Sequence, residues 1–132
     1  MKIGKEFLSF AVVGGIGFVV DVGVLYLLAP SLGWYAARVV SFIAAATATW
    51  LLNRRFTFRA RHSGTSIVRE YVHYMLTMLA GALVNYTAYV ITLHWVGGPL
   101  APALGVAIGS CAGLVVNFLS ARHIVFRTVR KP

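Results

Sequence analysis

Four apolar stretches, residues 7–28, 35–52, 71–96 and 100–119, limit what this chain can fold into more than any other feature. A hydrocarbon core of ~30 Å is crossed by ~20 helical residues, and each stretch approaches or exceeds that length. The composition agrees: 59% of residues are hydrophobic and 11% charged, where soluble domains carry ~25% charged residues. The chain therefore reads as an all-α membrane protein of four transmembrane helices, a single domain over residues 1–132. Lys2 and Lys5 ahead of the first stretch imitate a signal peptide. Its 22 apolar residues outrun the ~7–15 of a signal h-region and no small-residue cleavage pattern follows, so the segment is expected in the mature protein.

Charge supplies the orientation. Eleven of the twelve Lys and Arg fall on one side: Lys2 and Lys5, then Arg54, Arg55, Arg59, Arg61 and Arg69, then Arg122, Arg127, Arg130 and Lys131. Arg38 alone falls on the other. The positive-inside tendency puts both termini and the central loop in the cytoplasm, with the protein in the cytoplasmic (inner) membrane. The net charge of +9 is not read as nucleic-acid binding, because the cations flank apolar segments instead of striping a soluble surface; anionic lipid or a phosphate-bearing ligand fits better. Cys111 is the single cysteine, so no intramolecular disulfide can form, and it is expected as a small buried residue.

The two halves of the chain repeat each other. At an offset of 64, Lys5, Glu6, Phe7 and Phe10 fall on Arg69, Glu70, Tyr71 and Tyr74, Gly17 falls on Gly81, and Asp21 falls on Asn85. At an offset of 68, Ala44, Leu51, Arg54, Phe58 and Arg59 fall on Ala112, Leu119, Arg122, Phe126 and Arg127. Residues 1–62 and 63–132 thus read as two helical hairpins of the same orientation, a parallel repeat about an axis along the membrane normal. Topology alone would not require Arg-x3-Phe-Arg at matching places.

Small residues recur every fourth position at Gly105, Gly109, Gly113, Asn117 and Ala121, and at Ala37, Ser41, Ala45, Thr49 and Asn53. Such faces admit close helix approach, and they are the expected contacts of a homo-oligomer, since four helices are few to enclose a large head group. Gly14, Gly17 and Asp21 share a face of the first span, as Gly81 and Asn85 do in the third. Asp21 lies roughly 21 Å into the membrane at 1.5 Å per residue. A carboxylate there is costly unless paired or hydrated, so it is expected to face the interior across from Asn85, lining a polar path or locking the bundle.

The chain resembles the GtrA-like family of small membrane proteins over its whole length. The likeness rests on Phe10-x3-Gly14-x2-Gly17-x3-Asp21, on Asn53-Arg54-Arg55-Phe56-Thr57-Phe58, and on Asn117 with Arg122-x3-Phe126. The resemblance implies a four-helix protein of cell-surface polysaccharide or glycan synthesis that moves a polyprenyl-phosphate-linked sugar, such as a glucosyl carrier, from the cytoplasmic to the outer leaflet. In this sequence Ala121 stands where the repeat would place a counterpart of Asn53, and His123 stands for Arg55.

Residue chemistry is compatible with that role. Arg54, Arg122, Arg55 and Asn53 are the candidate phosphate-binding residues, because guanidinium gives a bidentate, always-charged fork. Phe56, Phe58 and Phe126 would form an apolar floor at the same level. Asp21, Asn85 and Asn117 are the candidates for a polar translocation path. Enzyme motifs are missing: Gly15-x-Gly17 lacks a third glycine, there is no Walker A lysine and no His-Glu-x-x-His. His62, His73, His94 and His123 are scattered, so no metal or other cofactor is expected. Two other readings stay open, a membrane anchor that recruits a glycosyltransferase partner, and a small proton-coupled exporter of cations, which the cytoplasmic positive charge disfavours.

Overall fold

The computed structural model describes residues 2–129, and for Trp34, Tyr35, Pro102, Ala103 and Val106 the backbone alone. Arg130 and Lys131, two of the cations used to orient the chain, lie outside the described residues. Helix runs from Ile3 to Leu52 with one break at Gly33, where φ is 80° and ψ 164°. A β-carbon is poorly tolerated at that φ, so glycine lets the chain reverse without a loop. The break separates α1 (Ile3–Gly33) from α2 (Ala36–Thr57). Then come α3 (Ile67–Trp95) and α4 (Ala101–Ser120), with Gly98 at φ 98° in the turn between them.

Four helices are long and apolar enough to span a membrane, as the sequence predicts. Three of them run past the predicted limits, taking in Lys5, Glu6 and Arg54 at the basic end. Hydropathy marks the hydrocarbon-facing length, whereas helical hydrogen bonding continues into the polar layer beyond it.

Both hairpins end alike. The last turn of α2, Asn53–Thr57, and the turn after α4, Ala121–Val125, are widened into π-helix, closed by Phe58 N–H to Asn53 O (2.8 Å) and Phe126 N–H to Ala121 O (2.7 Å). Short strands follow, β1 (Arg61–His62) and β2 (Thr128–Val129), antiparallel with Arg61 opposite Val129. The π-turns and their closing hydrogen bonds recur at an offset of 68 residues and the strands at 67. The strands tie the central loop to the C-terminal segment, so the basic ends of all four spans meet at one end of the bundle.

The core lies at that end. Phe10, Trp50, Phe58, Tyr74, Phe118, Val125 and Phe126 are buried together, and the rings of Phe58 and Phe126 stack at 5.1 Å and 17°. Phe56 does not join them and is 52% exposed. Elsewhere the spans present large apolar side chains outward, such as Val19, Leu27, Leu83 and Leu119, the surface that lipid covers. Cys111 belongs to this outward surface, contrary to the expected burial. Lipid and protein interior are both apolar, so an apolar run does not tell which residues face inward.

The small-residue faces are used inside the chain. A β-carbon on Gly109 would come within 2.5 Å of the Asn85 carbonyl oxygen, and one on Gly113 within 3.1 Å of the Gly81 oxygen, so α3 and α4 touch backbone to backbone. Gly17 likewise receives the methyl of Thr49, and Gly81 the amide of Asn117. Ala37 and Ser41 are fully buried. These faces are therefore not open to a second copy, which corrects the expected oligomer contact. Gly109→Ala should lower stability by about 1–3 kcal/mol, as overpacking does, while Gly23→Ala, with open space beside it, should not. Unfolding of both variants in mixed micelles checks this.

Candidate functional site

The basic end is organised by two carboxylates in the first turns of α1 and α3. Glu6, 1% exposed, accepts a hydrogen bond on Oε2 from Arg61 Nε and on Oε1 from Arg122 Nε, both at 2.9 Å. Glu70, 2% exposed, accepts on Oε2 from Arg54 Nε (2.7 Å) and from the indole N–H of Trp50 (2.9 Å). Glu6 and Glu70 are equivalent at offset 64, and Arg122 and Arg54 at offset 68. Each glutamate thus grips the arginine that ends a span of the other hairpin. The sequence aligned the two glutamates but did not reveal their partners. The available signal was an acid in the first turn of a span at the same depth as an arginine in the last turn of another.

The four candidate phosphate residues are not gathered. Arg54 and Arg122 face glutamates, with 40% and 16% of their side chains exposed. Arg55 is exposed on the outside, its guanidinium 5.8 Å from the ring centre of Phe56. Asn53 points inward: Nδ2 donates to the Tyr74 hydroxyl (2.9 Å) and Oδ1 accepts from Thr57 (2.7 Å). Tyr74 donates onward to Thr49 (3.1 Å). Adjacent helical positions point roughly 100° apart, so Asn53 and Arg54 cannot serve one ligand face together.

Beyond the aromatic layer lies a cavity of about 470 Å³ among all four spans. Its lining is paired by the repeat: Phe10, Gly14, Gly17, Asp21, Phe42, Ala45 and Thr49 of the first hairpin correspond to Tyr74, Met78, Gly81, Asn85, Ser110, Gly113 and Asn117 of the second. Along α1 it runs from Phe10 to Asp21, roughly 17 Å at 1.5 Å per residue. Burial falls along that length. Phe10 and Tyr74 are 4% and 0% exposed, whereas Phe18 is 69% exposed and Ser110 and Ala82 are also exposed. The cavity is closed at the basic end and opens away from it.

Asp21, Asn85 and Asn117, the three expected path residues, all line this cavity. Asp21 is paired with Arg38, Oδ1 to Nη1 at 2.5 Å, and not with Asn85. The repeat explains the match: where the first hairpin has Asp21 and Arg38, the second has Asn85 and Val106, losing acid and base together. Asn117 Oδ1 is buried with no hydrogen-bond partner among the described residues. Thr49, Asn53, Tyr74 and Ser110 are the other polar groups that line the cavity; Thr49, Tyr74 and Ser110 are not site candidates from sequence, since a tyrosine, threonine or serine in an apolar helix carries no distinguishing local signal. No group of three metal-ligating side chains occurs among the described residues.

The model of the family described as GtrA/DPMS, transmembrane domain, matches residues 9–126. The chain belongs to this family. The GtrA/DPMS match includes every residue of the cavity, the Arg54–Glu70 pair and Arg122, while Glu6 falls just before it. The membership agrees with the resemblance carried by the Asn53–Phe58 stretch and by the glycines of α1.

The two ends of the bundle should respond differently to loss of charge. Glu6→Gln removes the carboxylate shared by Arg61 and Arg122, whose side chains are 15% and 16% exposed, and should cost about 3–5 kcal/mol as for a broken buried pair. Asp21→Asn leaves Arg38, 58% exposed, free to hydrate, and should cost no more than about 1 kcal/mol. Denaturant unfolding in micelles distinguishes the two.

Proposed function

We propose that this protein translocates a polyprenyl-phosphate-linked monosaccharide across the cytoplasmic membrane, for glycan or polysaccharide synthesis. The observation that carries this reading is the intramembrane cavity of about 470 Å³, within the ~300–1,000 Å³ of small-molecule sites. Its largely apolar lining carries amides and hydroxyls, from Thr49, Asn85, Ser110 and Asn117, at a depth where polar groups are retained for function. The sugar would occupy the cavity while the polyprenyl tail stays in lipid. Membership of the GtrA/DPMS family supports the same class of ligand.

The phosphate would meet the arginine layer. Arg54 bonds Glu70 through Nε, so Glu70 orients the guanidinium and its terminal amino groups remain for a phosphate fork. The described conformation has the aromatic layer of Phe10, Phe58, Phe118 and Phe126 between arginines and cavity. Passage of the sugar requires that layer to part and the far end to close, an alternating-access cycle of one hairpin against the other. The exposed Arg55, Arg59, Arg69 and Arg127 suit the anionic cytoplasmic leaflet and support a cytoplasmic location for both termini. Self-association, if it completes the path, would use outward faces. A cation exporter is less well supported, because Asp21 already holds Arg38.

Reconstitution into vesicles with a fluorescent polyprenyl-phosphate glucose tests the reading. Protein should accelerate exchange between leaflets, and Asn117→Leu should slow it about tenfold, the effect of ~1.4 kcal/mol on a barrier. Arg54→Lys should weaken binding by roughly 1–3 kcal/mol while preserving insertion. Exchange no faster than in protein-free vesicles would overturn translocation in favour of an anchor for a membrane glycosyltransferase. Cysteines at Thr65 and Gly98 in a Cys111→Ala background should label from opposite sides, with Thr65 cytoplasmic.

A further inference from the structure

The two halves of the cavity match in position and differ in chemistry. Phe10, Phe18 and Phe42 of the first hairpin correspond to Tyr74, Ala82 and Ser110 of the second, and all six line the cavity. Asp21 and Thr49 correspond to Asn85 and Asn117. The repeat could have supplied two equal half-sites; instead the first half carries the rings of Phe18 and Phe42 where the second carries Ala82 and the Ser110 hydroxyl, and the ring at Tyr74 gains a hydroxyl that Phe10 lacks.

Hydrogen-bonding capacity is divided just as unevenly. In the first hairpin Asp21 is engaged by Arg38, Thr49 by Tyr74 and by the Ala46 carbonyl, and Asn53 by Tyr74 and Thr57. In the second, Asn117 Oδ1 is buried without a partner, and the side chains of Asn85 and Ser110 make no hydrogen bond among the described residues. A buried polar atom left unsatisfied costs free energy that a ligand's hydroxyl would recover. A path for water or ions has no use for aromatic faces on one wall and unengaged hydrogen-bonding groups on the other. A pyranose ring does, since it has a C–H face and an edge of hydroxyls.

We infer that the cavity is a monosaccharide subsite of single orientation, with the hydroxyl edge on Asn85, Ser110 and Asn117 of the second hairpin and the C–H face on Phe18 and Phe42 of the first. This rests on the translocation reading and adds to it which wall chooses the sugar. The second hairpin discriminates between epimers, because a group built to bond a hydroxyl penalises its absence far more than an apolar surface penalises a change of shape. The phenylalanines contribute affinity to every hexose alike.

The experiment measures binding of short-chain polyprenyl-phosphate glucose, galactose and mannose, and of bare polyprenyl phosphate, to the full chain in nanodiscs. One epimer should bind roughly tenfold or more tighter than another, the lower range of pocket discrimination. Ser110→Ala, at an exposed position, and Asn117→Ala should collapse that ratio, whereas Phe42→Leu should weaken all three hexoses together and keep it. If bare polyprenyl phosphate binds as tightly as every conjugate, there is no sugar subsite and the inference falls while lipid recognition stands. An epimer ratio unchanged in Asn85→Ala, Ser110→Ala and Asn117→Ala also overturns it. Binding of neither bare nor conjugated lipid would remove the translocation reading itself.

Discussion

Glu6 and Glu70, 1% and 2% exposed, carry charges that would be costly to bury unless a cation met them, and in each case a span of the opposite hairpin supplies it. That requirement joins the two hairpins. Helix association in lipid has no hydrophobic drive behind it and depends on close packing and polar contacts, so the crossed Glu–Arg pairs bring the four spans together where few other forces would. The stacked Phe58 and Phe126 and the strand pairing of Arg61 with Val129 sit beside these pairs and also join the two hairpins.

Closure at one end determines the shape of the rest. The spans are tightly joined at the basic end and less buried toward the other, and the space between them is the cavity. Glycines set how near the helices come: α3 and α4 meet at Gly81, Gly109 and Gly113, leaving Asn85 and Asn117 at the contact with little room to turn. Polar side chains that would be costly in lipid are thereby held in a shared interior. The arginines at the basic end also hold the bundle, Arg54 and Arg122 each giving Nε to a glutamate of the other hairpin.

Much of this was legible residue by residue. The apolar stretches predicted four spans, and the intramembrane Asp21, Asn85 and Asn117 all proved to face one cavity. The limits of legibility are equally specific. Arg54 and Arg122 align at an offset of 68, yet nothing near them in the sequence points to Glu70 and Glu6, because an acid sixteen residues after its arginine, or 116 before it, lies outside any local pattern. The sequence puts Asp21 opposite Asn85, whereas its partner is Arg38, which sequence distinguishes only by its position on the far side. Cys111 was expected to be buried and faces outward.

Span number, the end of the bundle that carries the cations, the presence of polar groups within spans and the recurrence of residues between the two halves were determined by the sequence alone. Each is a property of residues read along the chain, and the bilayer's thickness converts it directly into structure. Which face of each helix turns inward, which arginine meets which carboxylate, and that an aromatic layer separates arginines from cavity were decided only by the tertiary structure. Hydrocarbon and a packed helix interface both accept apolar side chains, so the inward face leaves no hydrophobic signature. It is chosen by where glycines allow contact and where buried charges find partners.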